Sequence, residues 1–279
     1  MNDRLSAFIA GHERLVALTG AGISTASGIP DYRDVDGAWK HQKPMEFRDF
    51  VSALRSRQRY WSRSFYGWQR FSEAQPNAAH RALARLEQRG RLRHSITQNV
   101  DGLHQRAGNQ RVTELHGSLA SVACLDCGTS IPRASMQQEL LRHNPELAAV
   151  SGKLAPDGDA QLQGLDESRL QVPDCDACGG ILKPAVVFFG ESVPAARVQQ
   201  CRDAIADCDA LLVVGSSLMV YSGFRFVREA AQQGIPVVAI NRGITRADDL
   251  LQEKFELDCA TALDAVLRRL SPAALADSA

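Results

Sequence analysis

Two pairs of cysteines are the first residues whose type and spacing indicate chemistry. Cys124 and Cys127 stand in "CLDC", and Cys175 and Cys178 stand in "CDAC". Four thiolates in two Cys-x-x-Cys pairs are a preferred ligand set of a tetrahedral structural zinc ion, and they leave no open position for catalysis. The alternative is a redox dithiol, which needs one pair at the start of a helix that follows a strand. Neither pair has that context, and we predict one structural zinc ion.

The chain has seven cysteines, and the other three are scattered. Cys201 and Cys208 fall on one face of a predicted helix, where a thiol usually acts as a small buried hydrophobic group. Cys259 stands near the end of the chain. An odd number of cysteines with metal-type spacing favours a reducing compartment over a framework of disulfides.

The stretch "LTGAGISTASGIPDYR" begins like the phosphate-binding turn of a dinucleotide site, because Gly20 and Gly22 follow an apolar strand. We expect the diphosphate to lie against these glycines and the start of a following helix. The usual fingerprint has a third glycine where this chain has Thr25. It also has an acidic residue about 20 positions further on, where this chain reads "WKHQKPM". Both departures count against a hydride-transferring dehydrogenase.

Polar residues also follow three other apolar runs, in "TQNVDGLH", "VVGSSL" and "AINRG". Ligands bind at the carboxyl ends of the strands in open α/β sheets, so these segments predict one shared crevice. Each segment alone could be a helix cap. His116, in "LHGS", lies at the border between the sheet and the cysteine-containing segment, where a cleft between two domains would lie. It is therefore a candidate catalytic residue.

These residues require a parallel sheet to position them. Short β-branched runs predict strands at 14–19, 94–98, 210–215 and 236–240, and helical patterns at 45–71, 195–208, 223–234 and 261–270 separate them. This alternation predicts an α/β fold with a Rossmann-like parallel sheet and a smaller inserted zinc-binding domain. The predicted segments are a Rossmann-like domain at 1–119 with a helical insertion at about 40–75, a zinc-binding module at 120–182, the rest of the Rossmann-like domain at 183–270, and a flexible tail at 271–279.

The composition excludes several classes of function. The chain has 279 residues, 44% of them hydrophobic, and 32 basic residues balance 32 acidic ones. No global charge attracts it to nucleic acid or to a membrane surface. Its longest apolar stretch, "ALLVVGSSLMV", is too short to span a bilayer. The first residues contain acids and lack an apolar core, so we expect no secretory or transit signal. We expect a cytoplasmic monomer with no direct nucleic-acid or membrane partner.

The whole set of motifs resembles the sirtuin (Sir2) family. "GAGIS", "GIPDYR", "TQNVD", "LHG", the two cysteine pairs, "KPAVVFFGE", "GSSL" and "INRG" occur here in the order found in sirtuins, over about residues 5–270. "QPNAAH", "LAPDGD" and "LMVYSGFRF" look most like the class II branch around mitochondrial sirtuin four, which also has bacterial members. The resemblance implies an NAD-dependent protein-lysine deacylase. Such an enzyme cleaves NAD to nicotinamide and transfers the acyl group of its protein substrate to ADP-ribose, which gives 2′-O-acyl-ADP-ribose.

The resemblance also implies roles for individual residues. His116 is the implied catalytic base, and Asn99 and Asp101 hold the nicotinamide amide. An acyl-lysine peptide is implied to add as a strand between two segments, which supply the substrate residues Val187, Phe188, Phe189, Gly190, Glu191 and Tyr221. Cys259 is one of the implied cofactor-binding residues, but it could equally be a buried core thiol. The implied cofactor-binding residues are Gly20, Ala21, Gly22, Ser24, Ile29, Pro30, Asp31, Tyr32, Arg33, Gln98, Asn99, Asp101, Gly215, Ser216, Ser217, Asn241, Arg242, Gly243 and Cys259.

The acyl group stays open at this point. Tyr60 and Arg63 in "YWSR" have the Tyr-x-x-Arg spacing of sirtuins that remove acidic acyl groups, but they stand about one helical turn too early before "QPN". The arginines of this helix could instead form a solvated face. We also expect a loop within 130–172 to reach toward the mouth of the active site. Mono-ADP-ribosyl transfer and lipoamidase activity are alternatives on the same scaffold. A dehydrogenase and a non-enzymatic module that binds zinc and a nucleotide are more remote ones.

Overall fold

The computed structural model describes residues 2–40, 43–149, 151–154, 160–163 and 165–270. The predicted tail at 271–279 lies outside them. The strands are β1 (Leu15–Thr19), β2 (Leu92–Thr97), β3 (Val112–Glu114), β4 (Gly117–Cys124), β5 (Ser130–Pro132), β6 (Ser151–Leu154), β7 (Ala160–Gln163), β8 (Leu182–Val186), β9 (Ala210–Val214), β10 (Val237–Ile240) and β11 (Glu253–Phe255). The α-helices are α1 (Asn2–Ala10), α2 (Phe47–Ser52), α3 (Leu54–Glu73), α4 (Ala78–Gln88), α5 (Leu103–Arg106), α6 (Arg133–His143), α7 (Ala195–Ala206), α8 (Tyr221–Gln232) and α9 (Cys259–Arg269).

The main sheet has six parallel strands in the order β11-β10-β9-β1-β2-β3. The chain runs from β1 outward through β2 to β3. It later returns to β9, on the other side of β1, and runs outward through β10 to β11. The direction of winding therefore reverses between β1 and β9, which is where an open α/β sheet forms a crevice for a ligand. The predicted Rossmann-like α/β class is confirmed.

Strand β1 shows why this sheet forms the core. All five of its residues are buried. Leu15 and Ala17 point to one face, where they pack with α1, α4 and α9, whereas Val16 and Leu18 point to the other face and pack with α7 and α8. Side chains alternate between faces along a strand. A strand covered on both faces therefore reads as a continuous apolar run, as "LVALT" does.

A second, smaller sheet is antiparallel, with strand order β5-β4-β8. It shares an apolar core with α3 and α6, which includes Trp61, Val122 and Met136. Strand β4 begins at Gly117 and β8 ends at Val186, so this sheet includes residues on both sides of the predicted 120–182 module. The domain boundaries stay a prediction.

The predicted strands at 14–19, 94–98, 210–215 and 236–240 are confirmed as β1, β2, β9 and β10, with end shifts of one or two residues. The prediction of a single helix at 45–71 is wrong, because α2 and α3 are separated at Ala53, where φ is −141° and ψ is 133°. Among the described residues, no helix has both the length and the apolar character needed to span a bilayer.

The 130–172 segment has more regular structure than we expected from its turn-rich sequence. It contains α6 and a hairpin of β6 and β7. Helix α6 forms because Met136 and Leu140, one turn apart, are both buried in the core of the small sheet. Within this segment, residues 150, 155–159 and 164 lie outside the described part, and so does most of "LAPDGD".

Three histidines, the buried His80 and His104 and the partly buried His94, connect elements of the main sheet and its helices. His94 Nε2 is 2.8 Å from Thr113 Oγ1, which joins β2 to β3, and His104 Nε2 is 2.9 Å from Thr19 Oγ1, which joins α5 to β1. Burial lowers the pKa of His94 and His104 below the ordinary value. Burial, with the nearby charges of His104 and Arg81, lowers the pKa of His80 to about 3. All three side chains are therefore neutral in the folded protein at pH 7.

We expect the folded state to lose stability as the pH falls from about 6.5 to about 4. The folded pKa values of these histidines lie below the unfolded value near 6.5, so the unfolded chain binds more protons in this window. A histidine whose folded pKa lies well below the pH, as that of His80 does, lowers the free energy of unfolding by about 1.4 kcal/mol per pH unit. Urea unfolding at about pH 7.5 and about pH 5.5 measures the loss.

Two variants make this measurement specific. His94→Gln should reduce the loss, whereas His143→Gln, at a half-exposed side chain on the surface of α6, should leave it unchanged. The same urea midpoint at both pH values would contradict the role of His80, His94 and His104.

Candidate active site

A cavity of about 660 Å³ lies at the reversal between β1 and β9. Its walls come from the segments that follow β1, β2, β9 and β10, together with His116 and the segment that follows β8. The structure thus brings residues from distant parts of the chain to one site. The predicted residues that line it are Gly20, Ala21, Gly22, Ser24, Ile29, Pro30, Asp31, Tyr32, Arg33, Gln98, Asn99, Asp101, His116, Val187, Phe188, Phe189, Gly190, Glu191, Gly215, Ser216, Ser217, Tyr221, Asn241 and Arg242.

Two predicted cofactor residues do not line this cavity. Cys259 is buried in the core between the main sheet and α9, with its Sγ 3.8 Å from the carbonyl oxygen of Ile240. Burial raises the pKa of the Cys259 thiol to about 12, so it is a neutral core thiol, the alternative that the sequence left open. Gly243 packs against Val35 instead, and a Cβ at Gly243 would lie 2.2 Å from the Val35 carbonyl oxygen.

The glycines after β1 are required by a contact between two loops. Gly22 N donates to Gly215 O at 2.8 Å. A Cβ on Gly20 would lie 2.7 Å from Ser216 Cβ, and a Cβ on Gly22 would lie 2.9 Å from Gly215 Cα. Gly20 and Gly22 therefore allow the loop after β1 to pack on the loop after β9. This close packing is a second reason for glycine here, besides access to a phosphate.

The prediction of a helix directly after these glycines is wrong. The chain forms two short 3₁₀ turns, Ala21–Ile23 and Thr25–Ser27, and the second ends at Gly28 with φ 83°. Gly28 and Pro30 stop the turns from continuing into an α-helix. Any anion at this loop is therefore held by backbone N–H groups and not by the end of a long helix.

Asp101 is held at the cavity wall by a directed set of hydrogen bonds. Ser24 Oγ donates to Asp101 Oδ2 at 2.7 Å, and Leu103 N donates to Asp101 Oδ1 at 2.9 Å. Asn99 Nδ2 donates to Ser24 Oγ at 3.0 Å and to Gly20 O at 3.2 Å. The result is a carboxylate and an amide fixed side by side. Such a pair is suited to bind a primary carboxamide, which both donates and accepts hydrogen bonds.

His116 stands between β3 and β4, with each ring nitrogen in a hydrogen bond. Nδ1 lies 2.9 Å from Gln98 O, and because a carbonyl only accepts, Nδ1 carries the proton. Nε2 therefore holds the lone pair and accepts from Ser222 Oγ at 2.7 Å. Burial is the main reason that the pKa of His116 is lowered to about 4. At pH 7 the cavity thus contains a neutral imidazole that can act as a general base.

Among the residues that the sequence analysis did not single out are Ser222 and Gly223, in the first turn of α8. Ser222 Oγ contacts the His116 ring, as described above. Gly223 makes room for Gln98, because a Cβ on Gly223 would lie 2.6 Å from Gln98 Oε1. Gln98 Nε2 in turn donates to Ser216 Oγ at 2.7 Å. The sequence signal for these two residues was "SGF" directly after "GSSLMVY". It does not identify their partners, because Ser222 and His116, like Gly223 and Gln98, are more than 100 residues apart in the sequence.

The apolar wall of the cavity is anchored by a largely buried ion pair. Lys183, 6% exposed, lies 3.1 Å from Glu191 Oε2, and the same oxygen accepts from Phe188 N at 2.8 Å. The Phe188 ring packs at 5.2 Å from the ring of Tyr60. Val187 N donates to His116 O at 2.7 Å, so this wall is bonded directly to the residue that carries the base.

Tyr60 and Arg63 both line the cavity, and Arg63 is already paired. Its Nε lies 3.0 Å from Glu167 Oε1, which belongs to the 130–172 segment. That segment therefore reaches a residue of the cavity wall through Glu167. The solvated face that we considered applies to Arg55 and Arg59, whereas Arg63 is partly buried.

The four paired cysteines form one cluster, and their sulfur atoms all lie within 4.8 Å of one another. Cys124 Sγ is 3.5 Å from Cys178 Sγ, and Cys127 Sγ is 3.7 Å from Cys175 Sγ. Zinc–sulfur bonds of about 2.3 Å in a tetrahedron place the sulfur atoms about 3.8 Å apart. Donor set and spacing both fit one structural zinc ion.

The comparison with known families agrees with this geometry. The model of the Sir2 family matches residues 20–222. The chain belongs to the Sir2 family. A Sir2-family relative, NAD-dependent protein deacetylase 2 of Bradyrhizobium diazoefficiens, is 56% identical over 262 residues, which cover 94% of this chain and 96% of the relative.

Solved Sir2 structures share the fold over nearly the whole chain. A complex of Sir2 with a p53 peptide and NAD⁺ has a TM-score of 0.75 and 28% sequence identity, and the match covers 96% of this chain and 98% of the other. A complex of Sir2 with the inhibitor EX-527, 2′-O-acetyl-ADP-ribose and deacetylated p53 peptide has a TM-score of 0.77 and 29% identity, with the same coverage.

We expect Cys175→Ser to lose the zinc ion and much of the stability of the small sheet, because the binding energy of structural zinc is part of the folding energy. Zinc content by atomic absorption should fall from about one ion per chain to near zero, and the thermal midpoint should fall with it. Cys201 is a thiol of α7 in the core of the main sheet, outside the cysteine cluster, so Cys201→Ala should keep its zinc. A stable Cys175→Ser protein with the wild-type midpoint would show that the cluster has no structural role.

Proposed function

We propose that the protein is an NAD-dependent protein-lysine deacylase that transfers the acyl group to ADP-ribose. One observation carries this proposal: a neutral imidazole with its lone pair on Nε2 lies in the same cavity as a fixed amide–carboxylate pair. The amide and carboxylate of Asn99 and Asp101 suit the carboxamide of nicotinamide, and His116 suits proton abstraction. The relative from Bradyrhizobium diazoefficiens, named an NAD-dependent protein deacetylase, supports the same activity.

The order of groups along the cavity suits a bound dinucleotide. Asn241 and Arg242 follow β10 and suit the adenosine end, and the backbone around Gly20 and Gly22 suits the diphosphate. Asn99 and Asp101 would then receive the nicotinamide. The Sir2 complex with NAD⁺ and a p53 peptide supports this use of the fold.

The second substrate is a protein with an acylated lysine. The backbone of Phe189–Glu191 and of Leu218–Tyr221 would hold the peptide as an added strand. The apolar side chains of Val187 and Phe188 would surround the acyl chain and keep water from it. Wall and base are bonded to each other through Val187 N and His116 O.

The chemistry divides between cosubstrate and protein. NAD would supply the glycosidic bond that is cleaved and the ADP-ribose that accepts the acyl group, and one water molecule would supply the oxygen needed to release the lysine as a free amine. Asn99 and Asp101 hold the carboxamide of the leaving group. His116 Nε2 takes a proton from a ribose hydroxyl, and the carbonyl of Gln98 keeps the other ring nitrogen protonated throughout. Ser222 must turn its hydroxyl away from Nε2 when the base accepts that proton.

Hydride transfer is not supported by the same residues. In a dehydrogenase an acidic residue at the end of the second strand binds the adenosine ribose. Here Gln98 follows β2, and its Nε2 is committed to Ser216 Oγ and to Thr19 O. Mono-ADP-ribosyl transfer and lipoamidase activity would use the same cavity and remain alternatives.

The direct test is to incubate the protein with NAD and a panel of acyl-lysine peptides, and to follow the products by mass spectrometry. We expect nicotinamide and O-acyl-ADP-ribose in equal amounts. The panel also ranks the acyl groups. Formation of NADH would support a dehydrogenase instead. If no peptide causes NAD consumption, the deacylase proposal is wrong.

We expect His116→Ala to keep NAD affinity within about threefold and to lose turnover by at least about 100-fold, which is the usual contribution of a general base. Isothermal titration gives the affinity, and nicotinamide release gives the rate. His143→Ala, which changes a surface histidine outside the cavity, serves as the control and should turn over normally. A normal rate in His116→Ala would remove it as the base.

A further inference from the structure

Three arginines surround one exposed tyrosine at the edge of the cavity. Tyr221 is 42% exposed, and the guanidinium carbons of Arg225, Arg228 and Arg246 lie 5.4, 5.3 and 5.6 Å from the centre of its ring. Arg228 Nη2 also donates to Tyr221 Oη at 2.6 Å. Stacking on an aromatic ring holds planar guanidinium groups in place while their edges stay available. We call these four residues the arginine rim.

The charges of the arginine rim are not compensated. Within the part of the chain that the structure describes, no carboxylate lies within 4.0 Å of any of the three guanidinium groups. Two neighbouring acids are paired elsewhere, Glu229 with Arg202 at 3.0 Å and Asp248 with Lys254 at 3.0 Å. In addition, Arg225 Nε is buried and has no hydrogen-bond partner among the described residues.

This excess charge is local. The chain as a whole has equal numbers of basic and acidic residues, so the rim does not reflect a basic protein. Three positive charges around one aromatic ring repel each other, and a bound anion would relieve this repulsion. Their place in the fold shows which anion can reach them.

The arginine rim adjoins the segment that would hold the substrate peptide. Tyr221 and Arg225 line the cavity themselves. Arg246 Nη1 donates to Met219 O at 3.3 Å, and Arg246 N donates to Ser217 O at 2.9 Å, so Arg246 is fixed to the same segment. A peptide laid along Leu218–Tyr221 therefore passes beside the rim before it leaves the protein.

We propose that the arginine rim recognises acidic side chains of the substrate protein beside the acyl-lysine, and so selects acyl-lysines in acidic surroundings. The proposal rests on the proposed deacylase function. Asp and Glu carboxylates accept paired hydrogen bonds from guanidinium groups, which gives both attraction and geometry. Charged pairs at the edge of a binding site act mainly on specificity and on the rate of association.

The test compares acyl-lysine peptides that differ only in charge. In each pair, Asp or Glu at two to four positions on one side of the acyl-lysine is replaced by Asn or Gln in the partner peptide. One set of pairs varies the N-terminal side and another the C-terminal side. On one of the two sides we expect the acidic peptide to have a KM lower by about 3- to 10-fold, with kcat unchanged within about twofold. About 0.5 M NaCl should remove most of the difference.

Matched variants assign the effect to the rim. Arg228→Gln with Arg246→Gln, both at exposed side chains, should abolish the preference for the acidic peptide. Arg70→Gln with Arg85→Gln removes the same charge from exposed arginines of α3 and α4 that do not line the cavity, and should keep the preference. Circular dichroism checks that both double variants fold.

Three results would overturn the proposal: equal KM values for acidic and amide peptides on both sides, the same loss of preference in both double variants, or stronger competition from an oligonucleotide than from an acidic peptide of equal charge.

Fluorescence anisotropy of labelled peptides separates this proposal from the deacylase function. Tighter binding of the acidic peptide without NAD consumption supports the rim and contradicts the deacylase. Turnover without any preference for acidic peptides supports the deacylase function and contradicts the role of the arginine rim.

Discussion

The close contact between the loops after β1 and β9 is the constraint on which the site depends. These loops meet through the hydrogen bond from Gly22 N to Gly215 O, at 2.8 Å. No side chain fits between them, so Gly20 and Gly22 are required whether or not a ligand is present. The contact lies where the winding of the sheet reverses, and both loops contribute residues to the wall of the cavity.

The polar part of the site is expensive to bury and is stabilised by mutual hydrogen bonding. Ser24 links Asn99 to Asp101, and His80 lies behind Ser24 with its Nε2 3.5 Å from Ser24 Oγ. His116 is likewise held from both sides, by Gln98 and Ser222. Because these imidazoles are desolvated they stay neutral, and the same burial that makes His116 a usable base makes the fold sensitive to acid.

Local sequence patterns predicted the parts of the molecule that depend on local order. The continuous apolar run of β1, the two cysteine pairs and the polar residues after β2, β9 and β10 all have short signatures. The separation of α2 from α3 at Ala53 does not, because alanine favours helix and yet has extended backbone angles here. Ser222 and Gly223 were missed for a related reason. Their importance arises from Gln98 and His116, which lie more than 100 positions away.

The resemblance to sirtuins placed most of the cavity residues correctly on its wall, and its exceptions have clear physical causes. Cys259 begins α9 with its thiol turned into the core, and Gly243 is fully occupied by its contact with Val35. Neither orientation can be read from residue type, since a small apolar residue after a strand suits a ligand and a core equally.

The hydrogen bond from Val187 N to His116 O gives the apolar wall a mechanical link to the base. In the proposed deacylase reaction, a bulky acyl chain that pushes this wall outward would also pull on the backbone that carries the imidazole. The size of the acyl group would then affect the reaction in two ways, through its fit against the apolar wall and through the alignment of His116 Nε2. Acyl groups that fit poorly should then lower kcat as well as raise KM.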